Sequence, residues 1–334
     1  MKMEEIITLD YGSGGKKTSR LIEEHILPAF DNAALGELGD GAVLPGAVEI
    51  AFSTDSFVVD PLFFPGGDIG KLAVCGTVND IAMCGAEPKF LSCALILEEG
   101  FPVETLERVL QSMRRAAADA GVQIVTGDTK VVEKGRGDGL YINTSGIGFK
   151  EYALPGIHGI KPGDAVLVSG TVGDHGTAVM LARSGMMNGE LRSDCTALNR
   201  LTDAMLSSGA EIRILRDPTR GGLATTVNEF TEGRSFGIEL DENAVPVQPE
   251  VKAACDMLGL DPLYCANEGK LVCICAADSA GQLLDIMHSL PEGRDAALIG
   301  HVTEAVPGRV VLRTGLGGRR ILQKLAGAQL PRIC

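Results

Sequence analysis

Apolar residues fall at Val103, Leu106, Val109, Leu110, Met113 and Ala117, the spacing of one apolar helix face, so the pattern predicts a helix from about Val103 to Ala120. Gly121 stands where such a helix stops. Other runs have a strand pattern. Ile50-Ala51-Phe52-Ser53-Thr54-Asp55-Ser56 reads as a strand with Asp55 at its end, and Val122-Gln123-Ile124-Val125-Thr126-Gly127-Asp128 as a strand ending in Asp128. Leu38-Gly39-Asp40-Gly41-Ala42-Val43 is a further apolar segment running into an aspartate. A second amphipathic segment is expected from Asp68 to Cys84, carrying Asn79-Asp80. A strand-like run from Leu140 to Phe149 then gives way to Pro155 and Gly156, where a domain boundary is expected.

The second half opens on a turn at Ile160–Asp164 and a buried strand at Ala165–Gly170. Gly221 and Gly222 precede a predicted helix through Phe230, and a strand is expected at Leu271–Ala276. A helix near Gln282–Leu290 and strands near Ala296–Ile299 and Val310–Arg313 follow, and Thr314–Arg320 reads as a hinge ahead of the last residues. The fold class expected is α+β (mixed α/β). The division is an N-terminal α/β domain over 1–154, a C-terminal α+β domain over 155–326 and a mobile tail over 327–334 that ends on Cys334.

Charge narrows the partners. A net charge of -14 argues against nucleic acid or an anionic membrane as the main partner. It leaves ATP open, because magnesium bridges phosphates to carboxylates. No run approaches the ~18 apolar residues of a membrane helix. Nine cysteines without a secretory leader at Met1–Glu5 point to a reducing cytoplasm, and the absence of a CxxC pair argues against structural zinc.

The candidate chemistry is acidic, basic and thiol. Asp40, Asp55, Asp80 and Asp128 are hard oxygen ligands suited to magnesium, with a turn role open for each. Tyr11-Gly12-Ser13-Gly14-Gly15-Lys16 is a glycine-rich stretch that can meet phosphates with backbone N–H groups and a lysine, although its spacing is not that of a P-loop. Asp217-Pro218-Thr219-Arg220-Gly221-Gly222 opens a helix beside an arginine, which is an anion site or simply a capped helix start. Glu268, in Asn267-Glu268-Gly269-Lys270, is a turn residue or a base. Cys334 is a nucleophile at the freest point of the backbone.

Ser53-Thr54-Asp55-Ser56, Asn79-Asp80, Gly127-Asp128-Thr129, Asp217–Leu223 and Asn267-Glu268-Gly269 together resemble the ATP-binding superfamily of aminoimidazole ribonucleotide synthetase, selenophosphate synthetase and thiamine-monophosphate kinase. Tyr11–Gly15, Asp60-Pro61-Leu62-Phe63-Phe64-Pro65-Gly66-Gly67 and the terminal Pro331-Arg332-Ile333-Cys334 are similar to the HypE family of hydrogenase maturation proteins. One loop departs from the superfamily pattern, since Gly39-Asp40-Gly41 lacks a second adjacent acid.

The resemblance implies an N-terminal domain whose strands build a β-barrel across a homodimer, with ATP held near the interface. It implies a carbamoyl dehydratase of lyase type. A HypF-like carbamoyltransferase loads the terminal cysteine, ATP and Mg2+ serve its dehydration to a thiocyanate, and cyanide passes to iron on a HypC–HypD scaffold for nickel–iron hydrogenase. Onto this chain it carries Cys334 as covalent carrier, Glu268 as base and Lys130 as polarising group or proton relay. Lys16, Asp55, Asn79, Asp80, Asp128, Asp217, Thr219, Arg220, Gly221 and Gly222 fall to the nucleotide, and Asp40, Asp55, Asp80 and Asp128 to the metal. Two alternatives stay open: a kinase or synthetase of a free small molecule, and a non-catalytic docking subunit. Selenophosphate synthetases carry a thiol or selenol in the glycine-rich loop, where this chain has Ser13.

Overall fold

In the computed structural model the chain is described at residues 15–21, 23, 42–44, 49–186, 191–327 and 332–334. Asp40, Pro331 and Tyr11–Gly14 lie outside the described residues. The first half contains α1 (Lys16–Leu21), β1 (Ala42–Leu44), β2 (Ile50–Phe57), the small hairpin β3 (Phe63–Phe64) and β4 (Gly67–Asp68), α2 (Ile69–Met83), β5 (Ala86–Glu98), α3 (Val103–Ala120), β6 (Gln123–Val132) and β7 (Leu140–Lys150). Five of these strands form a sheet in the order β1-β2-β7-β5-β6. Only β5 and β6 run parallel, joined by the α3 crossover that a parallel pair requires.

Alternation gives this sheet two unlike faces. Phe57, Leu91, Leu95, Leu97, Leu140 and Ile142 are buried against α2 and α3. Phe52, Phe90 and Ile96, on the alternate positions, stay 40%, 39% and 42% exposed on the open face. The helix expected at 103–120 has those bounds, and Gly121 ends it at φ 72°. The segment expected to be amphipathic from Asp68 is not: in α2 only Lys71 and Asp80 escape burial. It lies between the sheet and α3, and its far end, Ala82 and Met83, enters the core of the second sheet. Asp68 caps it, accepting from Gly70 N at 2.8 Å and Lys71 N at 3.1 Å. The aspartates read as loop residues lie inside regular elements, Asp55 within β2, Asp80 within α2 and Asp128 within β6.

The second half contains β8 (Ala165–Val168), α4 (Asp174–Ser184), α5 (Asn199–Ser207), β9 (Ile212–Arg216), α6 (Gly222–Thr231), β10 (Gly237–Asp241), α7 (Pro249–Leu258), β11 (Val272–Cys275), α8 (Ala280–His288), β12 (Ala297–Thr303), β13 (Val310–Arg313) and β14 (Arg319–Leu322). Its seven strands are ordered β14-β13-β10-β12-β8-β11-β9. The central β8 and β11 are buried at every position, because α6 covers one face and α5 with α8 the other. The stretch read as a hinge, Thr314–Arg320, is instead the turn and first residues of the β13–β14 hairpin, closed by Thr314 N donating to Gly318 O at 2.8 Å. Backbone pairing holds it, so any swing of the tail begins after Leu322.

Candidate active site

The end of the chain is packed into the molecule. Ile333 is buried in the first core with Val59, Cys75, Val179 and Ala266, and pairs with Val59 as an isolated antiparallel bridge. Each of the two carbonyls before Cys334 has a donor. Arg332 O accepts from Arg183 Nη2 at 2.5 Å and from Asp60 N at 3.2 Å, and Ile333 O is bonded by His175 Nε2 at 2.6 Å. The Asp60–Gly67 segment shapes this cradle: Phe64 meets His175 edge-on at 5.3 Å, and Pro65 O accepts from Ser193 N at 2.8 Å. At Gly66, φ is +94° and the Ser193 backbone leaves no room for a side chain.

Cys334 thereby sits among charged groups. Burial, first, and the neighbouring Glu268 carboxyl push its thiol up to about 12, against the pull of Arg220. Arg220, in turn, is held more firmly protonated by Cys334, Asp55, Glu268 and Asp80. It approaches Asp55 at 3.7 Å, and Asp80 accepts the Ser53 hydroxyl at 2.6 Å. Burial raises the Asp55 carboxyl, and carries Asp217 up to about 6. Glu268 is pushed well up by burial and by Asp217, Asp55 and Asp194, and its Oε1 is buried without a partner among the described residues.

Asp55, Asp80 and Glu268 thus face the Arg220 guanidinium, and Asp217 lies beside Asp55 with Arg216 as its own guanidinium neighbour. Beside them the N-terminus of α6 follows Gly221 and Gly222 at φ 80° and 61° and, among the described residues, has no side-chain cap and leaves Thr225 Oγ1 buried without a partner. Such a terminus suits an anion, and the surplus negative charge suits a cation. Among the described residues no three or more His, Cys, Asp or Glu form a metal cage.

Residues 38–149 match the N-terminal domain of AIR synthase related proteins, and residues 161–313 match their C-terminal domain. Carbamoyl dehydratase HypE of Cupriavidus necator is 51% identical over 98% of this chain and 95% of that protein. The HypE of Escherichia coli K12 is 48% identical over 98% and 99%. The chain belongs to the HypE family. A HypE structure in complex with ATP, 49% identical, superposes with a TM-score of 0.83 over 98% of this chain and 100% of that one. A HypE–HypF complex, also 49% identical, gives 0.87 over 91% and 99%. Thiamine monophosphate kinase of Aquifex aeolicus, 20% identical, gives 0.68 over 93% and 99% and shares the fold alone.

Against the site expected from the HypE resemblance, the structure gathers Cys334, Glu268, Arg220, Asp217, Asp55 and Asp80, with Gly221 and Gly222 alongside. Thr219 serves the turn, its carbonyl accepting Gly222 N at 3.0 Å. Asn79 is engaged with protein: Nδ2 donates to Thr196 O at 3.0 Å and Oδ1 accepts Leu198 N at 2.7 Å. Lys16 starts α1, exposed, with its N–H on Leu325 O at 2.9 Å. Asp128 and Lys130 are not brought to the cluster within this chain. They pair with Ala94 and Ile96 on the open face of the edge strand, whereas Asp55 faces α2. Asp55 lies level with Gly127 through Thr144 and Cys93, three strand spacings or about 14 Å away.

Sequence reading missed His175, Arg183, Ser193 and Asp194. Asp194 accepts Glu268 N at 3.1 Å and Gly269 N at 3.2 Å and pairs with Lys270 at 3.5 Å, holding the Glu268 loop in place. A usable signal existed for His175, one of five histidines, which follows Gly173-Asp174 after an apolar strand.

Proposed function

We propose that this chain dehydrates a carbamoyl group carried on the sulfur of Cys334 to a thiocyanate, using ATP. The observation that carries the reading is the seating of the C-terminal thiol beside Glu268 and Arg220, in the same cluster as Asp55. The HypE family supplies the name of the reaction and a relative in complex with ATP. When bound, ATP provides the γ-phosphoryl group that makes the carbamoyl oxygen leave as phosphate, and magnesium neutralises the phosphate charge. Asp55 and Asp80 would hold the metal, and the α6 terminus with Arg220 the phosphates.

The chain's own groups do the rest. Arg220 balances negative charge developing on the carbamoyl oxygen. Glu268, its carboxyl raised well above the usual range by burial and the neighbouring Asp217, takes a proton from the carbamoyl nitrogen when in its ionised form. The C–O bond breaks with phosphate as the leaving group, one N–H proton passes to Glu268 and the other leaves with the phosphate, giving S–C≡N, ADP and inorganic phosphate. Tethering raises the effective concentration of the carbamoyl group and keeps the cyanide equivalent on the protein.

The same reading gives the carbamoyl group a HypF-type donor and passes cyanide to iron on a HypC–HypD scaffold; the HypE relative in complex with HypF supports the first. It divides the chain at 1–154 and 155–326, with a tail from 327, and places it in the cytoplasm, in keeping with nine free thiols. It pairs the chain as a homodimer through the open sheet face. The test is intact-protein mass spectrometry after incubation with a carbamoyltransferase, carbamoyl phosphate and ATP. A carbamoyl adduct that loses the mass of one water with ATP, absent in Cys334→Ala, is expected. An adduct that persists while ATP is hydrolysed, or no adduct from an active donor, would overturn the reading.

A further inference from the structure

We propose that His175, oriented by Ser193, is a positioning residue that latches the tail by its last carbonyl and seats Cys334 whatever group its sulfur bears. The carbonyl of Ile333 can only accept, so Nε2 must carry the proton across that 2.6 Å contact. Nδ1 of a neutral imidazole is then bare and accepts from the Ser193 hydroxyl at 2.8 Å. That hydroxyl itself accepts Cys195 N at 3.1 Å, which turns its proton towards the ring. Every atom of the relay has one consistent role. Burial, which lowers the His175 pKa, keeps the ring in this neutral form, with Asp194 the charged group opposing the shift.

A second feature marks the tail as held rather than at rest. Arg332 is the one residue other than glycine, among those described, with positive φ, at 52°. Such a conformation persists where contacts over-determine it. Here they are Arg183 Nη2 and Asp60 N on its carbonyl and Asp138 on its guanidinium at 3.1 Å. His175 and Arg183 both belong to α4, so one helix presents donors to two successive carbonyls of the tail. None of these latch contacts uses the Cys334 sulfur. Thiol, carbamoyl and thiocyanate forms are therefore seated alike, and Glu268 and Arg220 are left to distinguish them.

The consequence for turnover rests on the proposed dehydratase reading; the latch itself does not. The test is the rate at which iodoacetamide alkylates Cys334 in the full chain, followed by peptide mass spectrometry, with thermal midpoint and ATP affinity measured on the same samples. His175→Ala is expected to speed alkylation about tenfold, the scale of one buried hydrogen bond. His175→Gln, which restores a donor at the Nε2 position, should return close to the native rate, and His175→Asn, too short to reach, should not. An Ala chain with native midpoint, native ATP affinity and native alkylation rate would overturn the latch, as would Gln and Asn variants equally exposed. If the Ala chain does not fold, the Gln and Asn pair decides. On carbamoylated protein the rate of ATP-dependent dehydration should fall in His175→Ala. Alkylation as expected in a chain whose native form never loses water would leave the latch standing and remove the dehydratase.

Discussion

Cys334 is seated where its sulfur is a poor nucleophile. With its thiol held up to about 12 by burial and Glu268, the docked residue is protonated at neutral pH and is a poor nucleophile, whereas a sulfur that already bears a carbamoyl group has no proton to lose and is not disfavoured there. Loading then belongs to the undocked tail. The sign of the linkage follows: a folded value above the ordinary 9.0 contributes docking stability that is complete below pH 9 and is lost as pH rises towards 12. Alkylation of native Cys334 should keep climbing above pH 9, where a free cysteine levels off; a plateau at pH 9 would mean that the thiol is not docked beside Glu268 in solution. Glu268 is raised in the same sense, so as a base it works only as pH rises through its elevated value. Glu268→Gln should keep carbamoylation, slow ATP-dependent dehydration about 10²-fold or more, and lose the acid limb of the pH–rate profile. A Gln variant with the native acid limb would assign the base elsewhere.

The elements of this fold were legible where one side of them meets water. The helix at 103–120 announces itself because only one face is buried, and α2 was misread because a helix buried nearly all round carries no apolar stripe. The glycine-flanked start of α6 and the Asn267–Gly269 turn were visible as motifs. Their partner Asp194 was not, because its hold on Glu268 and Gly269 joins residues 74 and 75 positions apart. The latch is less legible still: the Gly173-Asp174-His175 turn after an apolar strand marks the histidine, but its partner Ile333 lies 158 residues away. Asn79, a motif residue expected at the nucleotide, also has an amide that ties α2 to the 196–198 backbone. Asn79→Ala leaves Leu198 N and Thr196 O unpaired and is expected to lower stability by about 1–3 kcal/mol in urea denaturation. A native unfolding midpoint would return that amide to the ligand.

At the scale of the whole molecule, one subunit accounts for Cys334, Glu268, Asp55 and Arg220 but leaves Asp128 and Lys130 on the far side of the first sheet. The face that carries them also exposes Phe52, Phe90 and Ile96, apolar surface that a second sheet would cover. In the homodimer proposed here, the edge strand of one copy brings its Asp128 and Lys130 to the cluster of the other. The arrangement can be separated from a purely local site by mixing two inactive chains. Asp128→Asn leaves its own Cys334 intact, and Cys334→Ala leaves its own Asp128 intact. If Asp128 acts across the interface, a mixed dimer holds one site with both native residues, and dehydration should return to about a quarter of native activity in a statistical mixture: half of the dimers are mixed, each with one working site of two. If Asp128 acts within its own subunit, every site in the mixture lacks one residue and no activity returns. Recovery would make the second copy part of the catalytic centre; its absence, with mixed dimers verified by mass, would confine Asp128 to the surface on which this subunit displays it.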